Sequence, residues 1–310
     1  MTKPRFFSQT NSLAMKHKAN RFVGAFFRYV LLIGLSFIIL YPFIARISTM
    51  FMSEMDLVDP TVRYIPRNPT LDNIKYIFTN SDFGPAFLHT FLLSLISAVL
   101  TTAVACCVGY GLAKFRLKGG TVVAVLVVFS ILIPPQSILI PMYSYFRFFD
   151  IFGIFQAILG QPLTLTDTYW PIVWLSATGF SFRAGLFILV VWQFMRGVPD
   201  ELLEAAEVDG ANKFQTFFHI VLPQLRNIMT YAFVTSIIGG LQLFDLPFTF
   251  AGATGGPSKS VLTMVMYMYN IAFQNYDYGY GSAISYGLFV IIIVFSLIFM
   301  KYTAGKERNF

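Results

Sequence analysis

From Phe87 to Ala113 the chain reads FLHTFLLSLISAVLTTAVACCVGYGLA, without a single Asp, Glu, Lys or Arg. A helix crossing a bilayer needs about 20 mostly apolar residues, so this stretch is long enough to span one. Backbone in lipid must satisfy its own hydrogen bonds, which makes the stretch a helix. It lies in a charge-free run, Phe83 to Ala113, and five comparable runs flank it. Tyr29 to Ala45 precedes it, between Arg28 and Arg46. Gly119 to Phe146 follows, interrupted by Pro134 and Pro135, which remove backbone donors and predict a kink or break. A fourth, about Pro171 to Met195, contains Arg183; a fifth, about Asn227 to Phe250, contains Asp245; a sixth, about Ser282 to Met300, leads into a basic tail. The expected fold is therefore an all-α polytopic membrane protein of about six transmembrane helices. A further uncharged run, Ser260 to Tyr276, is rich in Tyr, Asn and Gln and follows the turn-rich Gly252 to Pro257. It reads as an interfacial or lumen-facing helix outside the bundle.

Composition agrees. Of 310 residues 56% are hydrophobic and 12% charged, with a mean hydropathy of +0.66. Soluble domains carry about 25% charged residues, so an ordinary water-soluble enzyme is excluded. The 35 Phe and 16 Tyr exclude a solvated, disordered chain. Cys106 and Cys107 are adjacent, a spacing that suits neither a disulfide staple nor a metal site. His17, His89 and His219 are far apart in sequence and have no partner at ligand spacing, so no metal site is expected.

The formal charge of +7 is a topology signal. Lys3, Arg5, Lys16, Lys18, Arg21 and Arg28 precede the first span; Lys114, Arg116 and Lys118 join the second to the third; Arg196, Lys213 and Arg226 join the fourth to the fifth; Lys301, Lys306 and Arg308 end the chain. With these fifteen of 22 basic residues on one side, both termini are expected in the cytoplasm. The first apolar stretch is too long for a cleaved leader and lacks a small-residue cleavage site, so it reads as a retained signal-anchor. The largest segment on the opposite side, Arg46 to Asp82, has enough Asp, Asn and Pro for a small structured cap. The positive charge gives no support for nucleic acid as a partner.

The loop between the fourth and fifth spans, Gly197 to Pro223, reads GVPDELLEAAEVDGANKFQTFFHIVLP. Pro199 and Asp200 start a helix over Glu201 to Val208, and Gly210 supplies a sharp exit. A second short helix, about Asn212 to Val221, would bury Phe214, Phe217, Phe218 and Val221 on one stripe, with Pro223 ending it. Ala205 and Ala206 permit close approach by another surface, and Glu204 offers an anion to a basic partner. An amphipathic hairpin lying at the membrane interface would have the same pattern.

Glu204-Ala205-Ala206, then Gly210, Ile220, Leu222 and Pro223, occur at the spacing of a known signature. The segment resembles the EAA loop of the membrane subunits of binding-protein-dependent ABC importers. Ile133 to Pro141, Phe182 to Ile188, Met195 to Pro199 and Gly255 to Pro257 extend the likeness toward the carbohydrate-uptake, maltose-permease-like branch. One departure is Asn227, where a proline is often found. The resemblance implies the ABC importer permease fold, with a basic arm at 1–28, a permease domain at 29–303 carrying the loop 197–223, and a tail at 304–310. It implies a multi-pass protein of a bacterial or archaeal cytoplasmic membrane. The partners it implies are a second permease subunit, two ABC ATPase subunits and an extracellular or periplasmic solute-binding protein. The loop would be a coupling helix seated in a cleft of the ATPase, with Glu204 as charge-paired contact, Ala205 and Ala206 as close-packed face, Asp209 beside them and Gly210 as turn. Catalysis and cofactors, ATP and Mg, would belong to the ATPase chains. In keeping with that, Gly255 to Ser260 departs from a phosphate-cradling Gly-x-x-x-x-Gly-Lys-Ser/Thr loop by having Ser258 before Lys259.

Ionisable groups within spans should face protein or water. Asp245, beside Gln242, Phe244 and Phe248, combines a carboxylate, an amide and aromatic faces, the groups that recognise a sugar. An interhelical polar clasp has the same composition. Arg183 is a second path candidate or a helix-end anchor, and Gln136 a third, at a helix break with freed carbonyls. The run Tyr267, Tyr269, Phe273, Tyr276, Tyr278 and Tyr280 reads as an interfacial belt. The alternative function is a stand-alone secondary transporter for a polar solute, which would need no docking loop.

Overall fold

Membrane backbone closes its hydrogen bonds within helices, and regular structure among the described residues is helical apart from two isolated bridges. The computed structural model describes residues 6–79, 82–115 and 118–307. Lys3, Arg5, Arg116 and Arg308 of the charge pattern lie outside the described residues. The chain divides into two units, Met1–Asn73 and Ile74–Phe310.

In the first unit, α1 (Phe6–Met50) runs on through both arginines expected to bound the first span. Within its segment Arg21–Met50 an 18-residue window has a mean hydropathy of 2.3 and none of its residues buried. A cap follows, built around α2 (Glu54–Val58). Asp56 is buried because it accepts from the Asn68 amide at 2.7 Å and from Asn68 Nδ2 at 3.1 Å. Asn73 Nδ2 donates to the carbonyls of Met50 and Met52, both at 2.9 Å, holding the end of α1 in the cap. The Thr61 hydroxyl and amide, with Arg67 beyond them, hold the Asp59 carboxyl below the usual range. α3 (Asp72–Thr79) follows.

The axis of the second unit is α4 (Phe83–Lys114), the quoted stretch. Its buried face repeats at helical spacing and is made of small residues, Ala98, Thr101, Ala105 and Gly109 among them. A Cβ on Gly109 would lie 2.6 Å from a methyl of Val191, so only glycine admits that contact. Small residues let helices approach in a medium where lipid is as apolar as leucine.

Of the kink or break expected in the third span, the chain has the break. α5 (Gly120–Leu132) and α6 (Pro135–Arg147) meet at 107°, because the two prolines leave neither the donor nor the room to continue. After α7 (Ile154–Leu159), the fourth expected span is likewise two pieces, α8 (Trp170–Thr178) and α9 (Ala184–Gly197). Gly179, at φ +79°, closes α8 by donating to the Leu175 carbonyl, a left-handed stop that hydropathy does not register. Past the loop segment, α10 (Glu201–Val208), α11 (Lys213–Thr216) and α12 (Leu222–Gln224), the fifth expected span bends by 44° between α13 (Arg226–Leu241) and α14 (Asp245–Ala251). Pro247 in the first turn of α14 disfavours a continuous helix there.

Ser260 to Tyr276 does not stay outside the bundle. It forms α15 (Met264–Tyr269) and a π-helical turn, Asn270–Gln274, with Met264, Met266, Tyr267, Ile271 and Ala272 buried. The segment packs on α4 and on the last helix, α16 (Tyr278–Glu307), and Thr90 Oγ1 accepts from the Met264 amide at 2.9 Å. Alternating polar and apolar character hid a buried face behind tyrosines. Among the described residues, three helices are long and apolar enough to cross a membrane, or five counting each bent pair as one span; α9 is a shorter apolar helix. The difference from six is the break between α8 and α9.

Candidate functional site

Two regions carry the candidate residues. The first is the loop hairpin. α10 forms over the expected residues, and Gly210 turns the chain at φ +85°. No atom lies within 4 Å of a Cβ built there, so glycine is required for its backbone angle and not for space. Asn212 starts the second arm with a capping box: its side chain accepts from the Gln215 amide and Gln215 Oε1 accepts from the Asn212 amide, both at 2.8 Å.

Pro223 does not end this arm. The chain widens into a π-helical turn, Phe217–Val221, in which the Leu222 amide donates to the Phe217 carbonyl, and α12 passes through the proline. A proline crowds the carbonyl four residues back, and the wider turn gives it room. The expected stripe does not form as one face: Val221 is buried and Phe217 half-buried, but Phe218 in the wider turn is 56% exposed and Phe214, ahead of it, 78%. The small pair also splits, Ala206 facing inward and Ala205 outward. Glu204 and Asp209 are exposed, Ile220 and Leu222 half-buried, and Pro223 exposed. Glu204 has no hydrogen bond or ion pair among the described residues.

The inner face is fastened. Val198, Val221 and Leu225 pack with Cys106 of α4 and Val191 and Met195 of α9, flanked by Tyr110, Leu203 and Phe217. Lys114, at the last residue of α4, donates to Asp200 Oδ1 at 2.6 Å and to the Val198 carbonyl at 2.5 Å. In the sequence Lys114 reads as part of the topology charge and Asp200 as a helix start, but their pairing is not legible there, because 86 residues separate them.

The second region is a cavity of about 260 Å³ in the second unit. Both helix breaks open onto it. Ser181, Phe182 and Arg183 come from the α8–α9 junction, and Gln242, Phe244 and Asp245 from the α13–α14 junction. Interrupted helices expose backbone polar groups at membrane depth where they line a cavity. The Arg183 guanidinium donates to the Thr235 carbonyl at 3.1 Å and lies across Gly239, where a Cβ would stand 2.7 Å from Nη1. Asp245 is exposed and does not pair with Arg183. Phe244 stacks on Phe248 with centroids 4.8 Å apart, and Tyr269 packs on both at 5.3 and 5.4 Å. Tyr269 is thus tied to the cavity's aromatic edge, and Tyr267 is core, so the expected tyrosine belt does not form as one band.

Four of the five path candidates meet here. Gln136 does not: it is exposed on the first turn of α6. The wall also carries hydroxyls that sequence reading missed, Ser94, Ser97 and Thr101 of α4 with Ser176 and Ser236. The signal for the first three was present as helical spacing within an apolar run. The Thr101 and Ser181 hydroxyls lie 3.2 Å apart, and Ser97 Oγ is buried without a partner. Among the described residues no three His, Cys, Asp or Glu side chains are grouped to hold a metal.

The lactose transport system permease protein LacF of Rhizobium radiobacter is 32% identical over 155 residues, 49% of this chain and 51% of that protein. This chain thus spans about half the length of that relative. The sulfoquinovosyl glycerol transport system permease protein SmoG of Agrobacterium fabrum is 26% identical over 289 residues, 88% of this chain and 87% of that one. In fold the chain is similar to a chain from the crystal structure of a bacterial ABC transporter involved in the import of the acidic polysaccharide alginate. That likeness has a TM-score of 0.67 at 15% identity and covers 94% of this chain and 98% of that one. The family model for the binding-protein-dependent transport system inner membrane component matches residues 105–303, from the later part of α4 to the last helix, taking in the hairpin and the cavity wall except its α4 residues Leu93, Ser94, Ser97 and Thr101. The chain belongs to that family of inner membrane transport components.

Proposed function

We propose that this chain is a permease subunit of an ATP-driven importer that carries a sugar or oligosaccharide inward across the cytoplasmic membrane. A separate ATPase drives it through the hairpin Gly197–Pro223. The observation that carries the reading is the hairpin's two-sidedness. Its inner face is locked to α4 and α9, while Glu204, Ala205, Phe214 and Phe218 are turned outward, and Glu204 has no hydrogen bond or ion pair among the described residues. Exposed phenylalanines beside an unpaired carboxylate are what a cleft on another protein would take. In this reading two ATPase subunits bind ATP and Mg, and their closure moves the hairpin. A second permease subunit completes the path, and a solute-binding protein delivers the substrate.

The cavity supports the choice of a polyhydroxylated solute. Serine and threonine hydroxyls, Gln242, Asp245 and the unused donors of Arg183 match alternating donors and acceptors, and the edge formed by Phe244 suits C–H faces. The names of the lactose and sulfoquinovosyl glycerol relatives favour the same class.

The test is reconstitution with the ATPases, second permease and binding protein in liposomes. Glu204→Lys is expected to abolish stimulation of ATP hydrolysis by the loaded binding protein. Normal stimulation in that variant would remove the hairpin from the interface. Ion-driven uptake by the chain alone would replace the proposal with a secondary transporter.

A further inference from the structure

We infer that Lys114 is a positioning residue of the coupling machinery: it ties the start of the hairpin to the end of α4, so that the two move as one body. The inference rests on the reading of the hairpin as the ATPase contact. The lysine side chain is only 7% exposed, and its two acceptors, Val198 O and Asp200 Oδ1, flank Pro199 at the point where α9 gives way to α10. A buried ammonium persists only where it is paired and hydrogen-bonded. Here the carbonyl end of α4 adds a favourable field.

Asp200 is the informative partner. It occupies the N-cap position of α10, where a carboxylate ordinarily accepts from its own helix's first amides, yet it makes no such bond. The local cap is given up for a bond to another element. The apolar cluster beneath the hairpin is non-directional and allows sliding, whereas two charge-assisted bonds to one ammonium fix direction. The same helix α4 carries Ser94, Ser97 and Thr101 into the cavity wall. From Lys114 to Ser97 is about 25 Å of helix at 1.5 Å per residue, so a displacement at the hairpin reaches the cavity along one rod.

The inference is tested in the reconstituted complex, in a background with Cys106 and Cys107 replaced by alanine and a reporter Ser97→Cys in the cavity. The labelling rate of that cysteine by a water-soluble maleimide is compared before and after trapping with ATP and vanadate, normalised to the vanadate trapped. With Lys114 present, trapping is expected to change the rate about fivefold or more, the usual size of a coupling between sites. Lys114→Met is expected to erase the change, and Lys114→Arg, which keeps charge and donors, to retain most of it. A full change in Lys114→Met would overturn the inference, as would a loss that Lys114→Arg fails to rescue. If Lys114→Met does not assemble, Asp200→Asn decides: it keeps the Val198 bond, and a reduced change supports the strut while an unaltered one refutes it. No change on trapping with Lys114 present would instead overturn the hairpin reading, and the inference with it.

Discussion

α1 and α4 are equally apolar and packed in opposite ways. An 18-residue window of Arg21–Met50 has a mean hydropathy of 2.3 and one of Phe83–Lys114 has 2.4, yet 39% of the second window is buried and none of the first. The difference is size. α4 offers Ser94, Ala98, Thr101, Ala105 and Gly109 along one buried face, whereas the small residues of α1, such as Gly34 and Ser36, are set among large exposed ones such as Ile33, Phe37 and Ile38. In a bilayer apolarity does not drive helices together, and close approach of small residues does.

Three substitutions test that comparison, measured as the unfolding midpoint of the purified chain in detergent. Gly109→Leu should have the largest effect, about 3 kcal/mol of overpacking, because its Cβ alone would meet Val191 at 2.6 Å. Thr90→Val should cost about 2 kcal/mol, since it leaves the buried Met264 amide without its acceptor. Gly34→Leu should have the smallest effect, within about 0.5 kcal/mol, because nothing lies within 4 Å of its Cβ position. A loss at Gly34 as large as that at Gly109 would break the size argument. A null result at Gly109 would break it from the other side.

The hairpin and the cavity differ in the same way that local and non-local information differ. α10, its glycine turn and the Asn212 cap are readable because each depends on residues within a few positions. The reading failed at Pro223 and Phe218, which lie in or after a π-helical turn that shifts the side chains following it, and at Phe214, which lies ahead of that turn on the exposed side of α11. The cavity was half legible. An ionisable residue in an apolar span announces itself, and Arg183 and Asp245 were found that way. Ser94, Ser97 and Thr101 were not, because hydroxyls occur throughout membrane helices and return their bonds to the preceding turn, as Ser94 does to the Thr90 carbonyl. Gln136 was drawn in by a proline break that opens elsewhere.

Sequence alone determined that this is a helical membrane protein, and it identified the loop carrying the family signature. Those properties follow from charge exclusion by lipid and from short-range helix and turn chemistry. Tertiary structure alone decided which apolar helix is core, which side of the hairpin is free and which hydroxyls join Arg183 and Asp245. It also joined Lys114 to Asp200. Each of these depends on contacts between residues far apart in the chain, where a few tenths of an ångström at a glycine or one extra residue in a turn changes the partner.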